Sequence, residues 1–270
     1  MPQPVITFLS DYGLEDDFAG VCHAVIARLC PDCRIIDLSH GIPRHDVQAG
    51  ALVLRGALPF LPAGVHLAVV DPDVGAERRA VALLLTDGRI LVGPDNGLLS
   101  LAAHDAGGVV EAVDIAHSEF RLEPVSATFH GRDIFAPVAA RLAGGAVLAQ
   151  AGEPCDPDQL VRIELPRPSV QDGALVAHSI YIDRFGNVQL DAGHDDLASV
   201  ALKLGSKVEL HREGREPRPA QFARTFAEVE RGGLLVYEDA YRQLALAVSH
   251  GSAAELLGIS VGEQLRIVVA

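Results

Sequence analysis

Four short polar clusters each follow an apolar run: SDYGLEDD at 10–17, DPDVGAERR at 71–79, GPDNG at 93–97 and TFHGRD at 128–133. Taken singly, Asp-Pro, Asp-Gly and Asn-Gly pairs are ordinary turn chemistry. Taken together they supply Asp11, Asp16, Asp17, Asp71, Arg78, Asp95, Asn96 and His130, which is several carboxylates, a permanent cation and an imidazole. A carboxylate just past a strand end matches the two hydroxyls of a ribose, because its two oxygens can each accept one of a vicinal pair. Asp11 is the candidate for that contact. Arg78 near Asp71 favours the ionised carboxylate, and His130 carries a side chain that titrates near neutrality. Such a trio can orient and deprotonate a water molecule. A fifth cluster, DRFGNVQLD at 183–191, places Asp183, Phe185 and Asn187 on one face if it is a strand. A carboxylate, an aromatic surface and an amide then suit a base and a cationic group. FGN also reads as a turn.

For these clusters to meet, the elements before them must run parallel. VITFLS, RIIDLS and GVHLAVV read as strands, with the helical stretches DDFAGVCHAVIARLC and DVQAGALVLRGALPFL between them. Asp16 or Asp17 near the start of the first helix suits the helix dipole. The pattern is βαβαβ, and parallel sheets collect their ligand sites beyond the carboxyl ends of the strands. AVALLLTDGRILVGPDNG reads as a hairpin around Asp-Gly, and GRDIFAPVAARLA begins another helix. After about residue 145 the texture changes to a Pro- and acid-rich stretch and then to short strands with one helix at SAAELLG. The expected fold class is α/β: an N-terminal α/β domain over 1–165 with a central, mostly parallel sheet, and a C-terminal β-barrel domain over 166–270.

Bulk properties narrow the function classes. The 270 residues carry 36 acidic against 22 basic side chains, a formal charge of −14, which disfavours nucleic acid or an anionic membrane and suits a small or cationic partner. No membrane-span-length apolar run and no basic, apolar leader is present, so a cytoplasmic location is expected. P-loop, G-x-G-x-x-G and H-E-x-x-H motifs are absent. The C-x-x-C in LCPDC lacks a second ligand pair at suitable spacing, and no metal is assigned.

In order along the chain, TFLSDYGLEDDFAG, HGIPRHDVQAGA, VVDPDVGAERRA, GPDNGLL, TFHGRDIFAPVAA and DRFGNVQ resemble the S-adenosylmethionine (SAM) hydroxide adenosyltransferases. These SAM hydrolases are relatives of the fluorinating and chlorinating adenosyltransferases. The resemblance implies a homotrimer with SAM held between the N-terminal domain of one subunit and the C-terminal domain of its neighbour. It also implies attack of water on C5′ to give adenosine and methionine, without a cofactor. Asp71, Arg78 and His130 match the family's water-activating set, and Asp11 matches its ribose-binding aspartate. Asp16 or Asp17 and Asp183 match the acidic surroundings of the methionine moiety, Phe185 and Asn187 the surroundings of adenosine and methionine. His45 stands near the ribose where the family often has an aromatic residue. Asn96 joins the substrate-contact candidates. Asp73 replaces the usual glycine of DPGVG, and Asp239 and Ala240 replace a common Asn-Ser. Gly131 stands where the fluorinating relatives place a halide-pocket serine, which favours hydrolysis over halide transfer. Asp73 and Arg79 are expected to be turn and surface charges. Halide-dependent adenosyl transfer and a low-turnover SAM or adenosine sensor are the alternatives.

Overall fold

The structure, a computed structural model, describes residues 3–200 and 202–270. The chain divides into two compact units, Met1–Ile163 and Glu164–Ala270. In the first, seven strands form one sheet: β1 (Val5–Ser10), β2 (Arg34–Ser39), β3 (Val65–Val69), β4 (Ala80–Leu85), β5 (Ile90–Pro94), β6 (Val109–Asp114) and β7 (Glu153–Cys155). Their spatial order is β2-β1-β3-β5-β4-β6-β7. The sheet is mixed. The β2-β1-β3-β5 half is parallel, whereas β4 pairs antiparallel with both β5 and β6, and β7 antiparallel with β6. The tight Asp87-Gly88 turn dictates this, since a short connection joins only antiparallel neighbours.

Helices α1 (Phe18–Leu29), α2 (Val47–Ala57), α3 (Ser100–Asp105) and α4 (Ala136–Ala143) complete the unit. Helix α1 buries Ala19, Cys22, Val25 and Ile26, the three- and four-residue spacing of one helical face. Asp46 caps α2 by accepting from Ala49 N at 2.8 Å. All five residues of β3 are buried, as befits a central parallel strand covered on both faces. Phe8, Ile26, Leu67 and Phe135 are fully buried in the resulting core, each worth about 1.5–3 kcal/mol of apolar transfer. For the site, the decisive register is β1 on β3, with Ser10 opposite Val69. The chain therefore leaves both strands at the same level, and Asp11 and Asp71 emerge at one sheet edge.

The second unit is a barrel. Strands β8 (Ser169–Gln171), β9 (Ala174–Ile182), β10 (Val188–Gly193), β11 (Lys207–His211), β12 (Arg218–Phe222), β13 (Leu234–Glu238), β14 (Gln243–Val248) and β15 (Gln264–Val269) run in the order β10-β14-β13-β12-β11-β15-β9-β8. The additional β10–β9 pairing closes seven of them, which removes the free edges an open sheet exposes. Short helices α5 (His194–Leu197) and α6 (Ala253–Leu257) accompany it. DRFGN is a turn between β9 and β10 and not a continuous strand: Gly186 N donates to Asp183 O at 2.9 Å, and Gly186 has φ 77°. Glycine reaches that conformation without the strain an L side chain meets. Among the described residues, no helix is long and apolar enough to cross a membrane.

Candidate active site

A cleft of about 390 Å³ at the carboxyl ends of β1 and β3 is lined by Asp11, Asp16, His45, Asp71 and His130 together with Tyr12, Phe18, Arg44, Thr128 and Phe129. The β1–β3 register brings Asp11 and Asp71 here. His130 arrives by a different route from the one its sequence suggests. The TFHGRD cluster follows no strand end; His130 precedes a π-helical turn, Gly131–Phe135, that leads into α4. Single π turns inside helices often mark functional sites.

Three side chains form one connected set. Arg78 Nε donates to Asp71 Oδ1 at 2.8 Å, and Nη2 donates to Asp71 Oδ2, giving a two-point contact. The same Nη2 lies 2.9 Å from His130 Nδ1. The Arg78 and Asp71 side chains are 9% and 6% exposed, so the pair is held in a dry setting where its geometry is well fixed. Because guanidinium nitrogens only donate, Nδ1 accepts. The neutral imidazole therefore carries its proton on Nε2. Burial, and then the Arg78 charge, lower the His130 pKa from its ordinary value, which keeps the ring neutral at pH 7.

Asp11 Oδ2 accepts from His45 N at 3.0 Å, and His45 has φ 64°. A left-handed non-glycine residue is strained by roughly 1–2 kcal/mol; here the strain directs its N–H at the carboxylate. With two lone pairs per oxygen, Asp11 keeps acceptor capacity for hydroxyl groups. Asp16 lines the cleft. Asp17 does not, standing at the N-cap of α1 without a side-chain capping bond.

Asn96 braces the site from beside it. Its Nδ2 donates to Val70 O at 2.8 Å and its Oδ1 accepts from Leu98 N at 3.2 Å, which ties the loop after β5 to the residue before Asp71. The Arg79 side chain is partly exposed, at 31%, yet it is anchored to a buried partner. It donates to buried Asp95 Oδ2 at 2.8 Å and to Gln159 O, while Asp95 Oδ1 accepts from Val161 N at 2.8 Å. An ion pair with one buried partner persists only when such further bonds satisfy it. Asp73 sits in the turn without a left-handed φ; Gly75, at φ 85°, takes that role, and a Cβ there would lie 2.5 Å from Ala127 O. The turn thus accepts an aspartate at 73.

Sequence reasoning missed the aromatic wall. Tyr12, Phe18 and Phe129 pack edge-on or tilted at centroid separations of 5.3–6.0 Å, within the favourable range for aromatic pairs. The signal was available: in a chain only 5% aromatic, all three lie in or next to the polar clusters. A Cβ on Gly131 would fall 1.9 Å from the Tyr12 hydroxyl. The pocket is therefore filled by Tyr12 where a larger residue at 131 would otherwise reach.

In the barrel unit, Asp183 Oδ1 accepts from Phe185 N and Asn187 N at 2.8 and 2.9 Å, and Oδ2 accepts from Asn187 Nδ2 at 2.8 Å. Asp183 thus fixes its own turn and presents Phe185, 68% exposed. Asp239 is similarly fixed by Gln189, Tyr241 N and Gln243 N. Burial, with Asp239 and Asp183 nearby, pushes the Tyr237 hydroxyl up to about 12.

Comparison with known proteins agrees over nearly the whole chain. Residues 6–152 match the model of the SAM hydroxide adenosyltransferase N-terminal domain, and residues 177–266 that of its C-terminal domain. The chain is 50% identical to an (R)-S-adenosyl-L-methionine hydrolase of Salinispora tropica, over 98% of each chain. A fluorinase of Nocardia brasiliensis is more distant, at 29% identity over 99% of this chain and 97% of its own. A crystal structure of an uncharacterized conserved protein from Thermotoga maritima superposes with a TM-score of 0.90 at 34% identity, covering 97% of this chain and 99% of that one.

Proposed function

The chain belongs to the SAM hydroxide adenosyltransferase family, and from that membership we propose that it hydrolyses S-adenosyl-L-methionine to adenosine and L-methionine by attack of water on C5′. The observation that carries this reading is the Asp71–Arg78–His130 chain, whose Asp71 and His130 line the cleft while Arg78 links them. Sulfonium leaves as a neutral thioether, so no strong acid is required and the difficulty lies in the weak nucleophile. Asp71 takes the proton of the attacking water, while the His130 Nε2–H donates to that water's oxygen and aims its remaining lone pair at C5′. Arg78 holds both partners at fixed spacing and fixes the imidazole tautomer. A positioned base contributes about 10²- to 10⁴-fold, and alignment of water against C5′ contributes further. Neither step calls for a metal or a cofactor.

Asp11 binds the ribose hydroxyls, and Asp16 favours the cationic methionine end. The protein is read as a cytoplasmic homotrimer in which the Asp183–Asn187 turn of a neighbouring copy completes each site. The exposed Phe185 on a turn already fixed by Asp183 supports that role. Incubation with SAM and chloride, followed by chromatography with mass detection, tests the reaction class. Adenosine as the product upholds hydrolysis, and 5′-chloro-5′-deoxyadenosine replaces it with halide transfer. A sensor role would leave both undetectable while adenosine or SAM stays bound.

A further inference from the structure

Behind the cleft, three residues distant in sequence bring metal-binding atoms together. Asp37 lies on β2, His40 just past its end and His23 on α1, whose apolar face packs on the sheet. Asp37 Oδ1 stands 2.8 Å from His23 Nε2 and 3.1 Å from His40 Nε2, and the three atoms all lie within 4.8 Å of one another. The His40 side chain is 2% exposed. Its Nε2 has no hydrogen-bond partner despite the nearby carboxylate, which leaves a buried polar atom at a cost of about 1–3 kcal/mol. Its other nitrogen, Nδ1, is 2.7 Å from Ser10 Oγ. When Nδ1 carries the proton and donates to that hydroxyl, Nε2 is left as a buried lone pair beside Asp37, whose Oδ1 lies 3.1 Å away without forming a hydrogen bond to it. This is the arrangement in which metal-ligating histidines are held by their second nitrogen. Both rings are also steadied by Phe8, at centroid separations of 5.9 Å for His23 and 4.7 Å for His40.

We propose that His23, Asp37 and His40 form a binding site for a late first-row divalent cation, zinc foremost, outside the reacting centre. Two imidazoles and one carboxylate suit zinc over magnesium or calcium, which prefer oxygen ligands. Tetrahedral zinc holds its ligand atoms about 3.4 Å apart, so the two contacts to Asp37 must open slightly. The Asp37 side chain, 44% exposed, has room to turn, and water completes the coordination. The site bears on the cleft through backbone contacts: Gly13 N donates to His40 O at 2.7 Å, and Tyr12 N donates to Ser10 Oγ at 3.3 Å. An ion on His40 therefore braces the segment that carries Asp11, Tyr12 and Asp16.

The test is titration of the full-length, chelator-dialysed protein with zinc, by calorimetry and metal analysis, with cobalt(II) as the spectroscopic probe. The expected result is one ion per chain and a thermal midpoint that rises with zinc concentration, as binding to the native state requires. His23→Ala, on a partly exposed helix position, weakens binding by about tenfold or more and abolishes the cobalt visible band. Asp37→Asn acts in the same direction, and Cys33→Ser leaves binding unchanged. Absence of stoichiometric binding overturns the proposal. So does binding that survives His23→Ala and Asp37→Asn but is lost in Cys33→Ser, which would place the ion at the cysteines.

Discussion

Arg78 Nη2 reaches the His130 Nδ1 at 2.9 Å while the same guanidinium holds Asp71 at two points. The imidazole is thereby committed to donating through Nε2, and the carboxylate is left as the acceptor for a proton. Asp71→Asn keeps the shape and removes the acceptor. The expected outcome is a fall in kcat of about 10²- to 10⁴-fold with little change in KM, read from adenosine release. Unchanged turnover would remove Asp71 from the reaction.

Arg78→Lys supplies a point charge in place of a planar fork and cannot serve both partners at once. Its kcat should fall by about tenfold or more, while adenosine affinity, measured by calorimetry, stays within about threefold. Equal losses in both would mean that Arg78 shapes the cleft as a whole.

Protonating His130 demands a hydrogen on Nδ1, which faces the guanidinium. Because burial and Arg78 lower its pKa below the ordinary 6.5, the neutral form persists above that pH and is lost as the pH falls through the lowered value. A kcat/KM profile should therefore show an acid limb below pH 6.5 that is absent from His130→Gln. An identical limb in that variant would assign the titration to another group.

Gly131→Ser sets a Cβ 1.9 Å from the Tyr12 hydroxyl, so the ring must move. Overpacking of this kind costs about 1–3 kcal/mol. Urea denaturation should show that loss, and adding Tyr12→Phe should recover part of it, since the nearest remaining ring atom lies at 3.0 Å. No recovery would locate the strain in the π turn itself.

His66, fully buried on β3 with its Nδ1 2.9 Å from Thr7 Oγ1, has its pKa lowered from 6.5 to about 4, chiefly by burial. Above pH 6.5 it is neutral in both folded and unfolded chains and adds no pH dependence. Between 6.5 and about 4 only the unfolded chain takes the proton, so stability falls with pH, by roughly 3 kcal/mol in full. Denaturant midpoints at about pH 7 and about pH 4.5 should differ less in His66→Gln than in the parent. An equal difference in both would acquit His66.

Much of the site was legible because its carriers are local. The apolar runs before Asp11 and Asp71 are near-continuously buried strands, and parallel pairing puts their ends together. What the sequence hid depends on tertiary contacts between distant residues. Arg79 reads as a turn charge until its partner Asp95 is seen to be buried, and the backbone bonds at both ends of the Asn96 amide reach residues that its local sequence does not announce. Asp183, Phe185 and Asn187 share period-two spacing with a strand, yet the Asp183 carboxylate bonds two backbone N–H groups and folds the segment into a turn. The contact of Tyr12 with Gly131 joins residues more than a hundred positions apart, and no local pattern announces it.

The most direct measurement is the reaction of SAM in ¹⁸O-labelled water, with mass analysis of the adenosine and the methionine. Water activated by Asp71, Arg78 and His130 and delivered to C5′ places the label in the adenosine 5′-hydroxyl, and Asp71→Asn slows its appearance. Adenosine formed without label at that oxygen would contradict attack of water at C5′.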